Sequence, residues 1–462
     1  MAPYDSFFAG KRVTILGLGL LGRAVGDAEF LAQRGAHVTV TDVKSAEELA
    51  ASVERLSKYP NITFHLGGHV ESDFTNTDMV IKAAGVRLDS PEVATAREAG
   101  VPVYMSTALA ARFAGEVGVT VVGVTGTRGK STVAHMIHHA LVAAAPRHSS
   151  TKLGTRGSGQ GKRAHLGGNV RGVSTLALLP DMQKGDFLVL ELDSWQLQGF
   201  GTLKISPQVA IFTNLMPDHQ NYYADMDSYF ADKANIFKFQ KKGDSLIATP
   251  ELAERIQGIG AGEEAYRVHI ESPTPSEWKL EMPGEHNRVN AALAAAALEV
   301  LSLTPEEIRA GLESFGGVEG RLQFVREVNL PAQAGGVKIY NDNNATTPEA
   351  TIAALQALDS GRKNILLIIG GADKGLDMST MLLQMAVSCK RVLCLSGSGT
   401  ERITPFMSDF SLYDDLGEAC REALRGAEAG DVILFSPAFA SFGLFKNEYD
   451  RNDRFLKVIE SL

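Results

Sequence analysis

Short apolar runs alternate along this chain with longer stretches whose apolar positions recur at helical spacing. That alternation predicts βαβ units on parallel sheets, an α/β fold. Residues 1–110 contain the runs Arg12–Gly17, His37–Asp42 and Asp78–Gly85. Residues 111–316 contain Gly118–Val124, Asp186–Leu192 and Val209–Asn214, with an Ala/Leu-rich helix over Asn290–Leu301. Residues 317–462 contain Val337–Asp342, Asn364–Ile369, Arg391–Leu395 and Asp431–Phe435. Each run ends in a polar or Gly-rich loop, so each block has a sheet edge where a ligand can sit.

A length of 462 residues suits such a division, since domains average roughly 100–200 residues. The chain has 45 Lys plus Arg against 54 Asp plus Glu, a net charge of −9. This argues against a general binder of nucleic acid or anionic membranes. Cys389, Cys394 and Cys420 lack zinc spacing and read as buried small hydrophobes. The first residues show no apolar signal segment, and no apolar run approaches the ~20 residues of a membrane span. A soluble, cytoplasmic, monomeric protein is expected.

Two loops carry phosphate chemistry. Gly17-Leu-Gly-Leu-Leu-Gly22 follows a strand, and Asp42 ends the next strand. Such a turn presents backbone N–H groups to a diphosphate, with the acid placed for a ribose. Taken alone it fits NAD or another nucleotide. The stretch Gly123-Val-Thr-Gly-Thr-Arg-Gly-Lys-Ser-Thr132 follows a second strand and precedes a helix. Its backbone would wrap the ATP phosphates, Lys130 would neutralise them, and Ser131 or Thr132 would bind Mg²⁺. Between these loops and the next strand, Ala145–His165 is basic and reads as a surface loop or a flap over a phosphate-bearing substrate.

The P-loop and a series of motifs in fixed order resemble the Mur ligase family, ATP-dependent amino-acid ligases of peptidoglycan precursor synthesis. The motifs are Gly167-Gly-Asn169, Leu190–Leu197, Asn214–His219, Tyr229–Phe237, Gly284–Asn290, Gly320-Arg321, Asn341-Asp342, Gly370–Lys374 and Ser436–Ser441. The resemblance implies an N-terminal Rossmann-like UDP domain, a central P-loop ATPase domain and a C-terminal Rossmann-like domain that takes the amino acid. It implies ATP contacts from Gly126, Thr127, Arg128, Gly129, Lys130, Ser131, Thr132, Asn287, Asn290, Arg321 and Asp342. It implies two Mg²⁺ sites using Ser131, Glu191, His219 and a carbamylated Lys233, with Lys130, Glu191, His219 and Lys233 as the catalytic set. Leu18, Gly19, Leu20, Leu21, Asp42, Gly85 and Asn169 would hold the UDP substrate, and Lys374 and Ser441 the amino acid.

Within the family, the branch that adds D-glutamate to UDP-N-acetylmuramoyl-L-alanine resembles this chain most. Some positions depart from that branch: Asp193 replaces a serine, Asn343-Asn344 a Ser-Lys pair and Glu448 an aromatic. These changes predict a more acidic pocket, which leaves open another amino acid, such as L-glutamate or L-alanine, or a non-catalytic nucleotide-binding homologue. On the residues alone, Lys233 reads as a surface lysine of a helix and Asn287 as a helix N-cap.

Overall fold

The computed structural model describes residues 2–19, 22–144, 162–218, 222–258, 266–269, 273–330 and 335–462. The chain folds into two compact units, 1–272 with 290–312, and 273–289 with 313–462.

The first unit holds two parallel sheets. One is formed by β1 (Arg12–Leu16), β2 (His37–Asp42), β3 (Ile62–Leu66), β4 (Met79–Lys82) and β5 (Val103–Tyr104), in the order β3-β2-β1-β4-β5. The other is formed by β6 (Thr120–Thr125), β7 (Ala164–Gly168), β8 (Phe187–Glu191), β9 (Val209–Phe212), β10 (Ser245–Ala248) and β11 (Tyr266–His269), in the order β11-β10-β9-β6-β8-β7. The central strands are continuous Val/Ile/Leu runs because helices cover both faces. Strand order reverses between β1 and β4 in the first sheet, and such a reversal opens a crevice at the carboxyl edge.

The helix Ser106–Glu116 spans residue 110 and ties the two sheets together. Its Leu109 and Phe113 are buried in a core shared with residues from both sheets. The rings of Tyr4, Phe7 and Phe8 meet Phe113 edge-on at 5.3–6.1 Å. Each such contact adds about 1 kcal/mol beyond area burial.

The second unit holds β12 (Gln323–Asn329), β13 (Gly336–Asn341), β14 (Ile365–Gly370), β15 (Cys389–Leu395), β16 (Ser411–Tyr413) and β17 (Val432–Phe435), in the order β12-β13-β17-β14-β15-β16. Only β12 runs antiparallel to its neighbour. Every residue of β14 is buried, as expected of a strand with a helix layer on each face.

The strands read from the sequence are all present, with ends shifted by up to three residues. The helix expected from Asn290 starts earlier and spans Glu285–Val300. Asn287 is therefore inside its first turn rather than capping it, and its side-chain amide donates to Pro283 O at 2.8 Å. The three cysteines are free and buried, and burial pushes each thiol up to about 12. Of the basic stretch Ala145–His165, residues 145–161 lie outside the described residues, and Ala164-His165 already belong to β7.

Candidate active site

At the switch point of the first sheet, the loops after β1 and β4 line a cavity of about 300 Å³. Gly17, Leu18 and Gly19 stand on one side, and Ala83, Ala84 and Gly85 on the other. Leu20 and Leu21 lie outside the described residues. Asp42 is buried and works on the loop itself. One carboxylate oxygen accepts from Leu18 N at 2.8 Å and Gly19 N at 3.0 Å, and the other accepts from Lys44 N at 2.9 Å. Burial is the largest single influence and raises its pKa, but the three backbone donors and the Lys44 charge together outweigh it and hold the carboxyl below the ordinary range. Asp42 thus shapes the turn, and its carboxylate keeps acceptor capacity beyond these three bonds.

Two cavity residues had no motif to mark them. Lys82 ends β4 with its amine donating to Val86 O at 2.9 Å, which pins the turn containing Gly85. Burial lowers its pKa to about 8, opposed by Asp193 and Asp232. Arg23 opens the helix Arg23–Gln33 and donates to Asn169 Oδ1 at 3.1 Å. Asn169 follows β7 and donates in turn to Glu191 Oε1 at 3.4 Å. The loop after β1 is thus linked by side chains to the end of β8.

Beside β8, the loop after β6 has the geometry of a phosphate cradle. Gly126 has φ +141°, and a Cβ there would collide with Thr213 and the backbone of Asn214. Gly129 has φ +81°, and its Cβ would come within 2.5 Å of Asn290 Oδ1. Both positions have left-handed or extended positive φ with no room for a Cβ, so this path of the loop requires glycine there. The segment after β9 braces it: Arg128 N donates to Asn214 Oδ1 at 2.9 Å, and Thr127 Oγ1 donates to Met216 O at 3.1 Å. Lys130 then begins the helix Lys130–Ala144, followed by buried Ser131 and Thr132. Its amine donates to Thr127 O at 2.9 Å.

Lys233 is not a surface lysine. It lies on the inner face of the helix Met226–Ala234 with Tyr229, Phe230 and Ala234 and is 1% exposed. Its Nζ donates to Gly126 O at 2.8 Å, directly on the phosphate loop, and lies 4.7 Å from the Tyr229 ring centroid. No carboxylate forms an ion pair with it among the described residues. Burial first, and then the Lys130 cation, hold its pKa well below the usual lysine range.

The donor set is compatible with Mg²⁺. Glu191 is a hard oxygen donor, 4% exposed, with no cationic partner among the described residues. Ser131 is a second oxygen at the same sheet edge. The described residues contain no group of three or more His, Cys, Asp and Glu side chains poised for a metal. A cation here would complete its shell with water and phosphate oxygens, as Mg²⁺ commonly does. His219 lies outside the described residues.

The second unit brings three loops together at its carboxyl edge. Ala372 and Ala440 exchange backbone hydrogen bonds, joining the loop that carries Lys374 to the loop that carries Ser441. Ala438 N donates to Ala345 O at 2.8 Å, which adds the loop after Asp342. Lys374 is exposed and donates to the Thr346 carbonyl and hydroxyl at 3.0 and 2.9 Å, while Ser441 is 4% exposed. Thr346 was not singled out by any sequence pattern. Arg321 is exposed.

Asp342 faces into its own unit, accepting from Ser436 Oγ and Leu322 N, both at 2.9 Å. Burial lifts its carboxyl to about 7. The folded chain thus retains a proton that the unfolded chain loses in the ordinary carboxylate range. Its contribution makes this unit less stable as pH rises from that range to about 7, with no further change above. Asp342→Asn should flatten this part of the slope, read as unfolding midpoints at about pH 5 and about pH 8.

The sequence departures mostly do local work. Asp193 caps the helix Ser194–Leu203, accepting from Gln196 N at 2.7 Å, a role that serine also fills. Asn343 is held by the fully buried Arg451, which donates to its Oδ1 and O at 2.8 Å each and to Phe439 O at 3.1 Å. The expected acidic shift is thus answered in this unit by a guanidinium directly behind the loop. Arg451→Met would leave those acceptors unpaired and should destabilise the unit by about 3 kcal/mol, measured by urea unfolding.

Three α/β sheets, with a phosphate cradle, a buried lysine on it and a diphosphate-compatible cavity in the same unit, fit the class of ATP-dependent ligases that comparison with known proteins identifies. Family models match along the chain: the MurD-like N-terminal domain of Mur ligases at residues 11–105, the Mur ligase middle domain at 124–298, and the Mur ligase glutamate ligase domain at 320–439. The chain belongs to the Mur ligase family. It is 32% identical to UDP-N-acetylmuramoylalanine–D-glutamate ligase of Roseiflexus sp. (strain RS-1), over 98% of this chain and 99% of the relative. It is 31% identical to the enzyme of the same name from Borreliella burgdorferi (strain ZS7), over 97% of each. Its fold matches the crystal structure of UDP-N-acetylmuramate-alanine ligase MurC from Thermotoga maritima, with a TM-score of 0.59 at 20% identity, covering 98% of this chain and 99% of that one. It also matches Thermotoga maritima MurF ligase in complex with ADP, with a TM-score of 0.58 at 17% identity, covering 98% of this chain and 97% of that one.

Proposed function

We propose that this enzyme joins D-glutamate to UDP-N-acetylmuramoyl-L-alanine, using ATP and releasing ADP and phosphate. The observation that carries the reading is the hydrogen-bonded link Arg23–Asn169–Glu191. It connects a cavity suited to a nucleoside diphosphate with the edge that presents Glu191 and the Lys130 loop. A sugar nucleotide in that cavity could extend its carboxylate toward the γ-phosphate.

A carboxylate oxygen of the acceptor attacks the γ-phosphorus and ADP leaves. The amine of glutamate then attacks the acyl carbon, and inorganic phosphate leaves with the electron pair of the broken C–O bond. Phosphoryl transfer asks mainly for alignment and neutralised charge. Lys130 supplies a cation to the phosphates, and the backbone N–H groups of Gly126–Thr132 orient them. Asn287, Asn290, Arg321 and Asp342 serve the nucleotide, Asp342 by holding its loop. Lys374 and Ser441, with Thr346 beside Lys374, receive the carboxylates of the amino acid. Gly85 lines the sugar-nucleotide cavity, and Asp42 fixes the Leu18–Gly19 turn.

Mg²⁺, in two sites held by Ser131, Glu191, His219 and a carbamylated Lys233, would neutralise phosphate charge when bound. Burial of Lys233 against a carbonyl, without an anionic partner among the described residues, supports the modification. Its uncharged amine would form an N–C bond with CO₂ and lose a proton, giving a carbamate anion. We assign the chain to the cytoplasm as a monomer without a nucleic-acid partner; no described helix is long and apolar enough to cross a membrane.

Incubation with ATP, UDP-N-acetylmuramoyl-L-alanine and one amino acid at a time tests the substrate assignment. Phosphate release with D-glutamate well above that with L-glutamate or L-alanine is expected. Equal or greater release with another amino acid would overturn the D-glutamate assignment.

A further inference from the structure

Arg23 stands in an unfavourable place for a cation. It is the first residue of the helix Arg23–Gln33, where the helix's own backbone N–H groups already concentrate positive charge. The first turn contains no acidic residue. Asp27, one turn on, is buried and accepts at Oδ1 from Ser174 Oγ at 2.5 Å; it attracts Arg23 through space without forming an ion pair with it among the described residues. The guanidinium lines the cavity at the β1–β4 switch point. Among the described residues its side chain makes a single hydrogen bond, to Asn169. A fork of five donors with one of them engaged retains the capacity to bind an anion bidentately.

In the turn beside it, Asp42 takes the N–H groups of Leu18 and Gly19 and adds a negative charge. A diphosphate settling there therefore has a carboxylate behind these two donors and gains from a cation on the cavity side. Lys82, also in the lining, has its amine tied to the turn after β4 through Val86 O. Arg23 is the cation in the right place.

We propose that Arg23 is a substrate-binding residue that clamps the distal phosphate of the uridine diphosphate, and that its bond to Asn169 sets that phosphate in register with Glu191. This rests on the reading of the cavity as the sugar-nucleotide site. The clamp aligns the far end of the substrate with the phosphoryl-transfer edge. It also makes this pocket discriminate a diphosphate from a monophosphate.

The test is a binding series on the full-length protein with UMP and UDP, using Arg23→Leu and Arg23→Lys, with ADP as a control for the central domain. The wild type should bind UDP more tightly than UMP. Arg23→Leu should weaken UDP by about tenfold to a hundredfold, the range of a lost charge-assisted hydrogen bond. It should change UMP by less than about threefold, with Arg23→Lys recovering part of the loss. Unchanged ADP binding by both variants shows that the fold is intact. If Arg23→Leu binds ADP normally and keeps the wild-type preference for UDP over UMP, the clamp is wrong. If the wild type binds ADP but shows no preference for UDP over UMP, the reading of the cavity falls, and the clamp with it.

Discussion

Lys130→Ala should turn over ATP at no more than about a thousandth of the wild-type rate, while still binding UDP normally. The lysine begins a helix at the end of a loop whose path two glycines, at φ +141° and +81°, permit and whose position Asn214 and Met216 brace. Its amine already reaches back over that loop to Thr127 O. A triphosphate lying along the loop would place its most negative end there, where a fixed cation acts without reorganisation. Lys130→Arg should fail almost as badly, because a planar fork does not fit a site shaped for a compact ammonium. Steady-state ADP release measures the loss, and UDP calorimetry on the same samples shows that the first domain is intact. A variant retaining a tenth of the wild-type rate would remove Lys130 from the phosphates.

Lys233→Ala should cost about a hundredfold or more in rate. A solvent-facing helical lysine would cost almost nothing. The difference follows from its 1% exposure and its bond to Gly126 O. Burial and then Lys130 lower its pKa, against Asp193, Asp218 and Asp232, which favours the uncharged form that reacts with CO₂. Wild-type activity should therefore decline in CO₂-depleted buffer and recover on adding bicarbonate, whereas the alanine variant should respond to neither. Full activity of the variant, or indifference of the wild type to CO₂, would show that the amine acts unmodified or not at all.

The fold was largely legible because buried parallel strands leave an unmistakable record: β6, β8, β9 and β14 are apolar runs closed by polar or Gly-rich loops. The strands missed were mostly short or at edges. β5 has two residues and β16 three, too few for a pattern. β12 mixes charged and apolar residues along a partly solvated edge. The phosphate cradle was legible from its glycines. The burial of Lys233 was not, although Tyr229, Phe230, Lys233 and Ala234 fall on one helical face and could have revealed it. Arg451 hid in the same way, on a face with Asn452, Phe455 and Ile459. A charged side chain in an apolar stripe is easily taken for a break in the stripe. Asp42 was legible as an acid at the end of β2, but only the folded geometry reveals that the turn's own N–H groups also reach it.

The central claim is that the terminal phosphoryl group of ATP passes to the carboxylate of the sugar nucleotide before the amine attacks. UDP-N-acetylmuramoyl-L-alanine carrying heavy oxygen in its terminal carboxylate tests this directly, with the released inorganic phosphate analysed by mass spectrometry. The account predicts one heavy oxygen per phosphate, carried over when the acyl–oxygen bond breaks. Phosphate released during product formation without the label would contradict it.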